Sequence, residues 1–203
     1  MSFSFENEYP KTVKLNDGSK VVFRLLGTDD QQKLHDFFMR LPEDDLMYLR
    51  DNVKDPKVVE KWVSHVDYSR IVPIVAEAND QIISDATLHM DPHTWYRHVG
   101  SLRLVVDKNY RSKGLGHLLA KELFFVALQL KLEKLQVEMV ADQVHARRVF
   151  EALGFEQEAL LQNHVLDRKG GKRHLVIMSN HVESLWDRIQ DGYMDSSMDF
   201  SGM

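Results

Sequence analysis

Residues 105–116, Val-Val-Asp-Lys-Asn-Tyr-Arg-Ser-Lys-Gly-Leu-Gly, hold the densest chemistry in the chain. An apolar run passes into a short polar turn with the pattern Arg-x-x-Gly-x-Gly (Arg111, Gly114, Gly116), and an amphipathic segment follows at once. Glycines let a backbone adopt positive φ and approach an anion closely. The first amides of the next helix then point at that anion, aided by the helix dipole. Arg111 and Lys113 add positive charge. The chemistry these residues suit is phosphate binding, and the surrounding elements must decide which kind.

Those elements read clearly. Residues 1–20 form an arm ending in the turn Asn16-Asp17-Gly18, and Val21 to Leu26 is a strand. Thr28 is placed to cap a helix, with Gln31 completing a capping box. Leu34, Phe37, Phe38 and Leu41 share one face of that helix. Pro42 to His65 gives one or two further helices. Residues 71–78, 82–89 and 99–106 are strands, the first two around the turn Asn79-Asp80-Gln81. Gly114 to Leu130 is a long helix with a buried stripe of Leu118, Leu119, Leu123, Val126 and Leu130. A strand over 135–140 precedes a helix over 143–153, which Gly154 stops. Strands over 155–166 and 174–179 flank the hairpin turn 167–171. A short helix over 182–190 and a disordered tail over 191–203 complete the reading. The fold class is α/β (α+β), a mixed central sheet of about seven strands flanked by helices. It is organised as an arm (1–20), one domain (21–180) and an extension (181–203).

Two familiar phosphate sites do not fit. A P-loop needs Gly-x-x-x-x-Gly-Lys-Ser/Thr, which the chain does not contain. A dinucleotide fingerprint needs a third glycine where Leu119 stands. A third arrangement fits both ends of the motif. Arg111-x-x-Gly114-x-Gly116 after the fourth strand, followed by Ala146-Arg147-Arg148-Val149-Phe150-Glu151-Ala152-Leu153-Gly154-Phe155, resembles the GNAT acetyltransferase superfamily. Val176-Ile177-Met178-Ser179 resembles its last core strand, and the likeness spans about residues 20–180. A narrower likeness is to the acetyltransferase domain of Pat-type protein lysine acetyltransferases. It rests on Asp17-Gly18-x-x-Val21-x-x-Arg24, Leu34, Phe37, Phe38, Leu41-Pro42-x-x-Asp45 and Tyr48-Leu49-Arg50.

The resemblance implies an N-acyltransferase with acetyl-CoA as donor and no metal. Backbone amides of Arg111, Ser112, Lys113, Gly114, Leu115 and Gly116 would hold the pyrophosphate. The strand ending at Leu104, Val105 and Val106 would splay from the 135–140 strand and leave a slot for the pantetheine arm. Gln143 stands where relatives carry a cofactor-contacting Asn. Lys108, Lys113 or Arg147 would meet the 3′-phosphate. Gly114→Asp and Gly116→Asp are both expected to fold and to lose acyl-CoA.

The same resemblance exposes two departures. The late-helix position of a Tyr general acid holds Phe150, and the strand position of a Glu base holds Ser101. The catalytic groups are therefore open, with His98, Glu77 and Tyr110 as candidates and His93 and Asp91 nearby. A thioester is already activated, so positioning alone is a further route. The His89-Met-Asp-Pro-His93 run has ligand types, but Pro92 prevents the regular helix that would align its histidines. Trp95 and Tyr96 line either an acceptor pocket or a hairpin tip.

Composition sets the remaining expectations. The chain has 203 residues, 43% hydrophobic and 28% charged, ordinary for a soluble globular protein. A net charge of −5 argues against a wholesale nucleic-acid binder. The absence of cysteine rules out disulfides, thiolate metal sites and a cysteine nucleophile. The N-terminus lacks a signal-peptide pattern and no apolar stretch reaches the roughly 20 residues of a membrane span, so a cytoplasmic protein is expected. An acidic early region (Asp29, Asp30, Asp36, Glu43, Asp44, Asp45, Asp51, Asp55, Glu60) would attract a cationic amine, a small molecule or a protein lysine. The chain would act as a monomer or homodimer. The competing readings are a non-catalytic acyl-CoA-binding regulatory module and, through the tail, a protein-interaction subunit.

Overall fold

Continuous apolar runs such as Ile71-Val-Pro-Ile-Val-Ala76 and Ile82-Ile83 mark strands covered on both faces. The structure, a computed structural model, describes residues 5–46, 49, 51–167 and 169–183. In chain order these form α1 (Phe5–Glu8), β1 (Lys11–Lys14), β2 (Lys20–Leu25), α2 (Gln31–Arg40), α3 (Glu43–Leu46), α4 (Pro56–Ser64), β3 (Ile71–Ala78), β4 (Gln81–Met90), β5 (Val99–Val106), α5 (Leu115–Gln129), β6 (Lys134–Val140), α6 (Val144–Ala152), β7 (Glu156–Leu166) and β8 (Lys172–His181). The expected helix over 182–190 falls largely outside the described residues. The tail over 191–203, Tyr48, Arg50 and Arg168 lie wholly outside them.

The strands make one mixed sheet of eight, in the order β1-β2-β3-β4-β5-β6-β8-β7. Every neighbouring pair is antiparallel except β5 with β6. One face carries α5 and α6: Leu119, Leu123, Phe124, Phe150 and Leu153 pack with Ala86, Leu88, Leu102, Val137 and Met178. The other carries α2 and α4: Leu34, Phe37, Phe38, Val59 and Val63 pack with Val75 and Ile82.

The eighth strand comes from the segment read as an arm. Lys11–Lys14 pairs with β2 as the sheet edge, and a buried carboxylate anchors it. Glu122 on α5, with its side chain 1% exposed, accepts from the Tyr9 hydroxyl at 2.5 Å and sits 2.6 Å from the Lys11 ammonium. One other detail differs from the sequence reading. Thr28–Asp30 is a single 3-10 turn, and it is the Asp30 carboxylate that accepts the Gly27 amide, at 2.7 Å. The stretch 42–65 holds two helices, within the expectation: α3 and α4, the latter started by Pro56 with Asp55 accepting the Lys57 amide.

Arg24 holds β2, β3 and the entry to α2 together. Its guanidinium donates to both Asp30 oxygens (2.6 and 2.8 Å) and to Glu77 (2.5 and 3.0 Å). Burial alone would raise the Asp30 carboxyl, but the bonds from Arg24 and the Gly27 amide outweigh it and hold the group below its usual range. A depressed native pKa means stability that is present above the unfolded value and lost as pH falls through the folded one. Asp30→Asn is therefore expected to cost about 2 kcal/mol at pH 7. The difference from wild type should shrink below about pH 4. Urea melts across pH 3–7 measure it; a difference independent of pH would contradict the assignment.

Candidate active site

The turn after β5 is built by backbone, not by side chains. Asp107, buried, accepts the Asn109 amide at 2.9 Å and starts a single 3-10 turn over Lys108–Tyr110. The chain then alternates hand: Ser112 has φ 59° and Gly114 φ 85°, both left-handed. Successive amides in such an alternation converge on one point, a concavity suited to anions. The amides of residues 112–117 donate to no acceptor among the described residues. Six consecutive amides thus end in the first turn of α5, where the helix dipole adds to them.

Gly114 is required twice over. An L side chain there is strained at its φ, and a Cβ would lie 2.9 Å from the Asn16 amide group. The Asn16 backbone amide also donates to the Lys113 carbonyl at 3.0 Å. The β1–β2 hairpin is therefore a brace for the turn. Gly116 differs: a Cβ there meets Leu104 Cδ2 and Val106 Cγ2 at 3.7 and 3.8 Å, ordinary contact.

Beside the turn the sheet opens. β5 and β6 pair only over Val99–Leu102 and Lys134–Val137, and from Arg103 onward β5 has no partner on that edge. The Asp107 amide donates to Ile83 across the β4–β5 ladder, so the odd residues of β5 bond toward β4. By alternation, Leu104 and Val106 present their main-chain groups to the opening. The Ala141 amide donates to His174, so Glu138 and Val140 face the opening from β6 by the same rule. A slot between two parted strand edges suits an extended, amide-bearing chain.

The charged residues near the turn are already engaged. Arg111 donates to the Val106 carbonyl through Nε (3.1 Å) and Nη2 (3.0 Å) and pairs with Asp45 of α3. Lys113 lies 3.0 Å from Asp17 and over the Tyr110 ring. Arg147 pairs with Glu151 one turn along α6. The Lys108 ammonium is exposed and makes no ion pair among the described residues. Gln143 turns its side chain back, and its Oε1 accepts the Val140 amide at 2.9 Å. That bond caps the open edge of β6.

The candidate acid–base groups scatter. His98 is exposed at the start of β5, the end away from the turn, and its carbonyl accepts the Glu133 and Lys134 amides. His93, Trp95 and Tyr96 occupy the loop before it, with Trp95 79% exposed. Glu77 is committed to Arg24 and Lys33. Tyr110 is half-buried against the α5-side core. Phe150 is core, edge-on to Phe155 at 5.3 Å. Much of the expected acidic rim is also spent: Asp30 on Arg24, Glu43 on Lys54, Asp45 on Arg111 and Asp55 as a helix cap. Among the described residues, no three His, Asp or Glu groups converge as metal ligands.

One group that sequence reasoning missed stands one strand back from the opening. Asp85 is registered between Val75 on β3 and Val105 on β5, and both valines pack toward α2 and α4. Asp85 therefore points to that face. Burial pushes its carboxyl up to about 6, against the opposing pull of the Thr87 hydroxyl and the Arg103 charge. The signal in the sequence was a carboxylate within Ile82-Ile83-Ser84-Asp85-Ala86-Thr87-Leu88, a strand with both faces covered.

Comparison with known proteins agrees with this geometry. The family model described as acetyltransferase (GNAT) family matches residues 32–155. Solved structures of similar fold include the GNAT domain of PAT from S. lividans (TM-score 0.72, 17% identity, covering 86% of this chain and 97% of that one). Another is the ribosomal-protein-alanine N-acetyltransferase of Brucella melitensis (0.69, 22%, 78% and 98%). A third is yncA of Salmonella typhimurium, solved with its cofactor acetyl-CoA (0.69, 17%, 81% and 95%). The left-handed glycine turn, the parting of β5 from β6 and the match over residues 32–155 lead to one conclusion: the chain belongs to the GNAT acetyltransferase family, whose members are acetyl-CoA-dependent N-acetyltransferases.

Proposed function

We propose that this protein moves an acetyl group from acetyl-CoA to a primary amine by direct attack, the amine belonging to a protein lysine or a small cationic molecule. The observation that carries the reading is the run of six amides around Gly114, without an acceptor among the described residues and opening onto the parted strands. In this reading the main chain of Ser112, Lys113, Gly114, Leu115 and Gly116 receives the pyrophosphate. The Leu104 main chain and the Val106 amide meet the pantetheine amides, and the Val105 side chain borders the acceptor face. Arg111 shapes the turn through Val106 and Asp45 rather than by contacting phosphate. Gln143 keeps the far wall of the slot in place. Lys108 is the cation available to a 3′-phosphate.

Ser101 and Phe150 favour the second reading, an acyl-CoA-binding regulatory module without turnover, because neither supplies a proton-transfer group of the expected kind. A screen of lysine peptides and polyamines with acetyl-CoA, read by thiol release and product mass, separates the two. Time-dependent acetylated amine is expected. Binding of acetyl-CoA with no product on any amine would overturn the transferase reading.

A further inference from the structure

We propose that Asp85, from the floor of the cleft on the α2/α4 face, accepts the proton of the acceptor amine. This rests on the transferase reading above. Asp85 lies opposite Val105, in the part of β5 that has left β6, and on the face away from the pyrophosphate turn's helix. An amine entering over α3 and the open edge of β5 reaches this side of a thioester held at Leu104 and Val106.

Asp85 is half-buried, while Ser84, Ala86 and Thr87 around it are buried. The Thr87 hydroxyl donates to Oδ1 at 3.1 Å, and Oδ2 accepts no hydrogen bond among the described residues. The other carboxylates at this end are committed: Asp45 to Arg111, Glu77 to Arg24, and Asp107 to the Asn109 amide with Arg40 alongside. Charged groups on the packed elements are Arg103 on β5, Arg40 on α2 (also held by the Ile82 carbonyl), Glu77 on β3 and Glu138 on β6. Of these, Arg103 acts on the Asp85 charge. A carboxyl lifted to about 6 is ionised at neutral pH and basic enough to take a proton from an ammonium in transit.

The step balances without a co-reactant. The ammonium gives a proton to the Asp85 carboxylate. The freed lone pair forms the C–N bond to the thioester carbonyl, and the C–S bond breaks. The thiolate leaves and takes up the second amine proton, and Asp85 returns its own to solvent. The products are amide, thiol and one released proton.

The test compares wild type, Asp85→Asn and Asp85→Glu with acetyl-CoA and two acceptors, spermidine and hydroxylamine. Spermidine is charged at pH 7, whereas hydroxylamine is largely neutral and needs no base. Asp85→Asn should lose at least 100-fold in kcat/KM for spermidine, together with the acid limb of the profile near pH 6. It should stay within about tenfold of wild type for hydroxylamine and keep its acetyl-CoA affinity. Asp85→Glu should recover part of the spermidine rate. Equal loss with both acceptors, loss of acetyl-CoA binding, or an unchanged rate and acid limb would each overturn the role of Asp85. Wild type that binds acetyl-CoA but acetylates neither acceptor would instead overturn the transferase reading, and the base with it.

Discussion

Gly116→Asp should abolish measurable acetyl-CoA binding while leaving the fold intact. The residue is the second of α5, with ordinary backbone and room for a Cβ. Asp is favoured there by the helix dipole and is a better helix former than Gly. Thermal stability should therefore hold or rise slightly. The new carboxylate would stand among the amides of 112–117, where a pyrophosphate must come. Two anions about 4 Å apart near a protein surface repel by roughly 4 kcal/mol. A loss of 100-fold or more in affinity follows, read by calorimetry alongside a melting curve. Retained affinity would remove the turn from the binding site. Gly114→Asp is not an equivalent probe. Its φ of 85° and the 2.9 Å approach to Asn16 damage the turn itself, so loss of binding there would carry no information about charge.

Glu122→Ala should produce the largest loss of stability, about 3–5 kcal/mol. The substitution removes the shared partner of the Tyr9 hydroxyl and the Lys11 ammonium and leaves both facing a cavity in the α5-side core. Burial and the Glu122 charge together push the Tyr9 hydroxyl far above its ordinary pKa, so it stays a donor. The consequence extends to the site, since β1 carries the hairpin whose Asn16 braces Lys113 and Gly114. Glu122→Gln, which keeps an acceptor for Tyr9, should lose less. Chemical denaturation of both variants measures this; equal stability of Glu122→Ala and wild type would mean that β1 is not anchored there.

The centre of the fold was legible because local signals and tertiary demands coincide there. An apolar strand, paired glycines and a helix with a clear stripe leave one way to fold residues 99–130. Gly154 ended α6 at φ 80° as expected. The N-terminal strand was not legible: Lys-Thr-Val-Lys has one apolar residue, and its place depends on Glu122, far along the chain. The helix entry at 28–31 misled because Asp30, fixed by Arg24, outcompeted the Thr28 cap. The acidic segment looked like an open rim because two of its cationic partners, Arg24 and Arg111, lie outside it and the third, Lys54, reaches back to Glu43 only once α3 and α4 are folded. Asp85 was not singled out, because the sequence of β4 does not say which face of the sheet it takes. Only the packing of α2 and α4 over Val75 and Val105 shows that its face is enclosed.

Titration of the protein with acetyl-CoA by calorimetry, with free CoA and 3′-dephospho-CoA alongside, shows whether the amide cradle is an acyl-CoA site. The geometry predicts saturable binding of acetyl-CoA and weaker binding when the 3′-phosphate is removed. No binding at high micromolar concentration would contradict the amide cradle as an acyl-CoA site.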